Sequence, residues 1–277
     1  MGRLTTLLWA VEHHECDVEN EVICAPENVN ILFEYKEPWF SVGPVNFTRT
    51  SFLIFLAAAV VIGLLYFGLR RNRLVPTKFE AAIQSLVEFV RDGIARDIIG
   101  PEGVRYTPYL LSIFLLILVG NLFELAPLIN FPITSRMALP AFLSLVTYVI
   151  FVFVGFKKNG LHYLTDIAWP KAVPIGLRWL VGLIEIVSTF ILRPITLAVR
   201  LFANLVAGHL MLSLLLGSGI AFVLAVGEIG PKAGIGIVWF AFGLLMFLFE
   251  FLVGVLQAYI FTLLTAVYIQ TSIHPAH

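Results

Sequence analysis

Long apolar stretches alternate with short charged segments along this chain. Five stretches carry almost no Asp, Glu, Lys or Arg, whereas residues 70–105 alone carry twelve such side chains. A helix needs about 20 consecutive apolar residues to cross the hydrocarbon core of a bilayer. The pattern therefore predicts five membrane-spanning helices, at about 51–69, 106–128, 137–156, 177–216 and 235–273.

The last two stretches are longer than one upright crossing requires at about 1.5 Å of rise per residue. Each could form two short helices or one long, strongly tilted helix. Neither stretch has a strong turn signal near its middle, and Pro194 is the only proline inside them. A membrane helix tolerates one proline with a kink. We interpret the two stretches as long tilted helices that form a hairpin.

Residues 78–99 have a different pattern. Apolar residues recur there at helical spacing from Phe79 to Ile98, and charged residues occupy much of the rest. This predicts an amphipathic helix on the inner membrane surface or against partner helices. The predicted fold class is an all-α membrane protein with five transmembrane helices, this interfacial helix and a separate N-terminal segment, residues 1–50.

Composition agrees with a membrane protein. Hydrophobic residues make up 59% of the 277 positions and charged residues 13%, against about 25% charged in ordinary soluble domains. The 18 basic and 18 acidic residues cancel, so the chain lacks the basic excess of a nucleic-acid-binding protein. The high hydrophobic fraction also disfavours a disordered tail and a disulfide scaffold.

The placement of positive charge predicts the orientation. With five spans, residues 70–105 and 157–178 lie on one side and carry eleven Lys/Arg, whereas the segments on the other side carry five. The positive-inside rule puts the N-terminus outside and the C-terminus inside. The acidic N-terminal segment resembles neither a cleavable signal nor a transit peptide. A bacterial plasma membrane is the expected location, with the mitochondrial inner membrane as the alternative.

The N-terminal segment holds the two cysteines of the chain. Cys16 and Cys24 would lie in an oxidising compartment, and a disulfide or two free thiols both remain open. The run His13-His14-Glu15-Cys16 has metal-ligand residue types but no fixed spacing on a predicted element. We therefore predict neither a metal site nor a cofactor.

Ionisable residues at membrane depth are the candidates for function. A charge at the centre of a span costs about 2.5–3.5 kcal/mol on insertion scales, and such a charge usually marks an ion or proton path. The predicted spans contain six such residues: Glu124, Glu185, Arg193, Arg200, His209 and Glu250. For Glu185 and Arg193, bonding to neighbouring helices is an equally good explanation.

Helix rise gives the levels of these residues. His209 lies about 13 Å beyond Arg200 on the fourth span, and Glu250 lies about 10 Å from Gln257 on the returning span. If Arg200 faces Gln257, then His209 faces Glu250 nearer the outer surface. The predicted levels are an outer cluster of Glu124, His209 and Glu250, a central Arg200 with Asn204 and Gln257, and an inner Glu185. Two half-paths would then be separated by a fixed positive charge.

Several motifs in these spans resemble one family. Arg200-Leu-Phe-Ala-Asn204-Leu-Val-Ala-Gly-His209 is similar to the signature of subunit a of F-type ATP synthases. Residues 256–268, Asn121-Leu-Phe-Glu-Leu-Ala-Pro127, and Glu185 followed by Arg193-Pro-Ile-Thr-Leu197 resemble further motifs of that family. The likeness covers about residues 50–272, and the N-terminal 45 or so residues match nothing recognisable.

The resemblance implies a function. Subunit a of this family is the stator that faces a rotating ring of c subunits, beside the peripheral-stalk b subunits in the lipid bilayer. Protons enter by one aqueous half-channel, protonate a ring carboxylate and leave by the other, which couples proton flow to ATP synthesis or hydrolysis. Arg200 matches the essential arginine, and His209 with Glu250 matches the outer half-channel pair. The chain itself would be a non-catalytic channel subunit.

Two departures from the family pattern leave this expectation in place. Many bacterial members have an acid before a histidine, whereas His209 precedes Glu250 here, which still keeps a titratable pair at one level. Ala203 replaces the usual glycine and is also small enough for close helix approach. An ion-coupled secondary transporter is the alternative, but it should show repeated halves. An intramembrane enzyme would need a nucleophile–base pair or a set of metal ligands within the spans, and the sequence shows neither there.

Overall fold

The computed structural model consists mainly of helices. It describes residues 23, 40–42, 45–47, 49–70, 76–126, 137–160, 162–169, 174–225, 227, 230 and 234–273. The elements are β1 (Phe40–Val42), β2 (Val45–Phe47), α1 (Arg49–Leu69), α2 (Lys78–Val90), α3 (Thr107–Leu125), α4 (Ala138–Asn159), α5 (His162–Ala168), α6 (Arg178–Val187), α7 (Arg193–Leu224) and α8 (Gly234–Ile273). Two π-helical segments, Arg91–Ile99 and Ser188–Leu192, and two 3₁₀ turns, Pro101–Tyr106 and Ile175–Leu177, complete the described elements.

Five helices in the described part of the chain are long and apolar enough to cross a membrane. They are Thr50–Leu69, Pro101–Phe123, Ala138–Asn159, Arg178–Leu224 and Gly234–Ile273. The predicted fold class, an all-α protein with five membrane-spanning helices, is confirmed. The chain is a multi-pass membrane protein. The tilt of the last two helices and the side on which each terminus lies stay predictions.

The fourth span is one continuous helical rod. It comprises α6, a π-helical turn at Ser188–Leu192, and α7, and it covers 47 residues, or about 70 Å at the standard rise. Pro194 is the second residue of α7, directly after the π turn. Since proline has no backbone N–H and crowds the preceding turn, the wider π turn is how this helix accommodates it. The single long helix, rather than two short ones, is what the structure contains.

The predicted amphipathic segment is helical throughout. Thr77 and Glu80 form a capping box at the start of α2: the Thr77 N–H donates to the Glu80 carboxylate at 2.8 Å, and the Glu80 N–H donates to the Thr77 hydroxyl at 3.3 Å. Ile83 packs against Gly68 at the end of α1. The π-helical continuation buries Ile94 against the membrane helices. The position of this helix on the membrane surface remains a prediction.

Helix α8 lies at the centre of the assembly. It packs along α7 as an antiparallel hairpin and also contacts α3 and α4. Gly236 allows the close approach of the hairpin, because a Cβ added there would lie 3.0 Å from the Val223 backbone nitrogen. The apolar buried core comes mainly from α1, α3, α4 and the C-terminal half of α8.

A short antiparallel strand pair precedes α1, and the sequence analysis did not predict it. Phe40 pairs with Phe47, and Val42 pairs with Val45. Aromatic and β-branched residues favour strands, and Gly43-Pro44 between them is a turn signal. The predictions for Cys16, Cys24 and the His13–Cys16 run fall outside the described residues.

Candidate functional site

Glu250 and His209 meet in the interior of the hairpin. Glu250 lies on α8 and is 6% exposed, and His209 lies on α7 and is 5% exposed. A methyl group added at Gly208 would overlap the Glu250 carboxylate, so this carboxylate lies directly against the α7 backbone beside His209. The two side chains interact electrostatically. A carboxylate and an imidazole buried at one level of the hairpin are groups that can hold and pass on a proton.

A second polar contact joins the same two helices further along. The Asn204 amide donates to the Gln257 side-chain oxygen at 2.9 Å, and Gln257 is 3% exposed. The antiparallel register therefore places Gln257 opposite Asn204, one turn beyond Arg200, rather than opposite Arg200 itself. Asn204 and Gln257, which the sequence analysis placed at one level, are brought together.

Helix α3 contributes a third polar group to this region. The Asn121 side chain donates to the Gly254 carbonyl at 2.9 Å. Between these contacts lies a small pocket of about 10 Å³, roughly the space that one water molecule needs. Its walls are formed by Asn121, Asn204, Leu205, Glu250, Val253, Gly254 and Gln257. Both Glu250 and Gln257 are among its lining residues.

Sequence reasoning did not place Asn121 or Gly208 in the site. An amide inside an apolar span was a usable signal for Asn121, because such groups in membrane helices bond to a neighbouring helix. No comparable signal marked Gly208, since its importance comes from the position of Glu250 on another helix.

Arg200 lies on the opposite, exposed side of α7. Its neighbours at helical spacing are exposed as well: Ala203, Asn204, Ala207 and Met211. Residues three and four apart share one helix face, so these side chains form a continuous outward stripe. Ala203 and Ala207 lie on this stripe beside Arg200 and Asn204. Because alanine side chains are small, another helix could approach closely here.

Arg193 bonds to the neighbouring helix. Its guanidinium donates to the Thr271 hydroxyl at 3.2 Å and lies 5.2 Å from the centre of the Tyr268 ring. Both partners are on α8, so Arg193 holds the start of α7 against the end of α8. Glu185 is partly exposed on α6, about 22 Å from Arg200 along the rod. The structure does not bring Glu185 together with the other candidates.

Glu124 lies in the last turn of α3, three residues after Asn121. Its side chain is outside the described residues, so its place in the outer cluster stays a prediction. Within the residues that the structure describes, no group of three or more His, Cys, Asp or Glu side chains could hold a metal ion.

Comparison with known proteins gives a consistent result. Residues 51–270 match the profile of a family described as "ATP synthase A chain". A protein of Frankia alni named "ATP synthase subunit a" is 40% identical over 239 residues, which is 83% of this chain and 80% of that protein. Proteins of the same name from Pseudarthrobacter chlorophenolicus and Rhodospirillum rubrum are 38% and 35% identical, each over 83% of this chain and over 86% and 90% of their own lengths.

Proposed function

Because the chain belongs to the ATP synthase A chain family, we propose that it is the proton-conducting stator of an F-type ATP synthase. In this role it forms two half-channels against a ring of c subunits and is held by the peripheral-stalk b subunits. It conducts protons and catalyses no reaction itself. We place it in a bacterial plasma membrane with its N-terminus outside.

The observation that supports this function best is the relation between Arg200 and Glu250. Arg200 is exposed on the outward stripe of α7, whereas Glu250 is buried behind α7 with His209. A permanently charged group therefore faces a prospective partner helix, and a proton-binding group lies inside. Such a division suits a stator, which must pass protons from its own interior to a moving surface.

Arg200 acts on the ring carboxylate in this proposal. A guanidinium stays protonated even where it is poorly solvated, so it attracts each deprotonated carboxylate that arrives and favours release of its proton. It also repels a proton that would pass directly between the half-channels. The alanines beside it allow the ring helix to come close.

Glu250 and His209 supply protons from the outer side. The imidazole and the carboxylate share one level, and the small pocket next to Glu250 leads toward Asn204 on the outward stripe. A proton held at Glu250 then has about 10 Å to travel along the hairpin to the level of Asn204 and Gln257. The hydrogen-bonded amides of Asn204 and Gln257 lie at the end of this segment, next to the outward stripe.

The test is ATP-driven proton pumping by the complete ATP synthase in membrane vesicles. Arg200→Ala should abolish pumping and leave the assembled complex intact in a native gel. Arg96→Ala is the matched control, since Arg96 is an exposed arginine on another helix, and it should pump normally. Full coupled pumping by the Arg200→Ala complex would overturn the proposal.

A second measurement addresses the entry path. Glu250→Gln and His209→Leu should each slow passive proton flow through vesicles that contain the membrane sector. An ion-coupled transporter would move its substrate without a ring. Transport by the purified chain alone would therefore favour that alternative.

A further inference from the structure

A cavity outside the proton path opens between the start of α3 and the end of α4. Its volume is about 540 Å³, and its walls include Glu102, Arg105, Tyr106, Phe153, Lys157 and Lys158. Thr107 begins the apolar part of α3, and Phe156 ends the apolar part of α4. The cavity therefore lies where these two spans leave the hydrocarbon region.

The polar half of the cavity carries excess positive charge. Three cations, Arg105, Lys157 and Lys158, share it with the single carboxylate of Glu102. Lys158 lies 2.6 Å from that carboxylate and Arg105 lies 3.7 Å from it. One carboxylate cannot neutralise three cations, so the cavity is complementary to an anion.

The other half of the cavity is apolar. Phe153 is 63% exposed, and Ile150, one turn before it, and the adjacent Val154 also line the cavity. These side chains continue from the charged rim toward the middle of the span. A ligand that matched both halves would need an anionic group attached to a long apolar chain.

We propose that this cavity binds an anionic phospholipid. Arg105, Lys157 and Lys158 would contact its phosphate, and an acyl chain would lie along Phe153. Arginine and lysine both bind phosphate, arginine through two parallel hydrogen bonds, and basic pockets between membrane helices favour acidic headgroups. Glu102 orients Lys158 and Arg105, and it competes with the phosphate for them.

The binding is measured on the complete ATP synthase in neutral detergent, titrated with phosphatidylglycerol and read by native mass spectrometry. Lys157→Gln and Arg105→Gln should each weaken retention of the lipid about five-fold, the usual effect of one basic residue at an anionic surface. Lys157→Arg keeps the positive charge and should retain the lipid as the unmodified chain does. Glu102→Gln should strengthen retention, because it removes the competing carboxylate.

Arg96→Gln is the matched control, because Arg96 is an exposed arginine on the neighbouring amphipathic segment and lies outside the cavity. Equal retention in the Arg96→Gln, Arg105→Gln and Lys157→Gln complexes would overturn the proposal. Inorganic phosphate tests whether the cavity binds a free phosphate ion rather than the phosphate group of a lipid. Displacement of the lipid by millimolar phosphate would show a site for soluble anions, whereas unchanged retention supports a lipid site. A cross-link from Phe153 to another subunit would show that protein fills the cavity.

Discussion

Replacement of Gly208 by alanine tests whether Glu250 lies against the α7 backbone. The added methyl would occupy the position of the Glu250 carboxylate. Either the carboxylate must turn away from His209 or the two helices must separate. Both adjustments move a group that the proposed proton path requires.

The magnitude follows from two opposing effects. Alanine is favoured over glycine in a helix interior by about 0.8–1 kcal/mol. Forcing an extra carbon into a packed interior costs about 1–3 kcal/mol. Gly217 on the same helix provides the control, since a Cβ there meets nothing within 4 Å. The propensity gain is common to both variants, so Gly208→Ala should be less stable than Gly217→Ala by about 1–3 kcal/mol.

The assay compares the two variants in the same preparation. Unfolding of the purified chain in mixed micelles gives the stability difference, and ATP-driven pumping in vesicles gives the functional one. We expect Gly208→Ala to lose most of its pumping and Gly217→Ala to retain it. Equal stability and equal pumping of the two variants would refute the contact between Gly208 and Glu250.

Three further predictions use other contacts. Thr77→Ala should cost about 1 kcal/mol of stability in denaturant unfolding, because it removes the capping partner of the buried Glu80; an unchanged midpoint would contradict the capping box. A double-mutant cycle of Asn204→Ala and Gln257→Ala should give a coupling energy of about 0.6 kcal/mol, whereas strictly additive effects would argue against the hydrogen bond. Burial raises the pKa of Tyr163, so the folded state keeps the phenol proton where the unfolded chain loses it, and stability falls as pH rises above about 10. Tyr163→Phe should reduce that alkaline loss in unfolding measured between about pH 8 and 11, and an identical loss in both proteins would contradict the burial.

Much of the fold could be predicted from the sequence because each span is long and almost free of charge. The stretch 235–273 has a single charged residue, Glu250, which predicts a membrane-spanning helix, and the structure has α8 at Gly234–Ile273. The strand pair before α1 is different, since three-residue strands carry little periodicity. The π turn before Pro194 was not predicted beyond the kink that a proline allows, because Ser188–Leu192 contains no glycine or proline and lies in a long apolar run.

The candidate site was predictable where a polar residue stands alone in an apolar helix. Asn204, Gln257, His209 and Glu250 fit that description, and the structure brings them together in two pairs. The residue opposite Gln257, Asn204 rather than Arg200, was not predictable, because rise along two separate helices leaves the register between them free by about one turn. The hydrogen bond of Asn204 with Gln257 resolves that freedom.

The register of the hairpin and the proposed proton path depend on the same side chains. Apolar helices in lipid gain no hydrophobic energy from pairing with each other, so small residues and interhelical hydrogen bonds determine how they align. Helix α8 is held by Asn121 at Gly254 and by Asn204 at Gln257. A slip of one turn would break both bonds and move Glu250 away from Gly208. Replacement of these amides should therefore lower both stability and proton flow. Replacement of Arg200, on the exposed stripe, should lower proton flow alone.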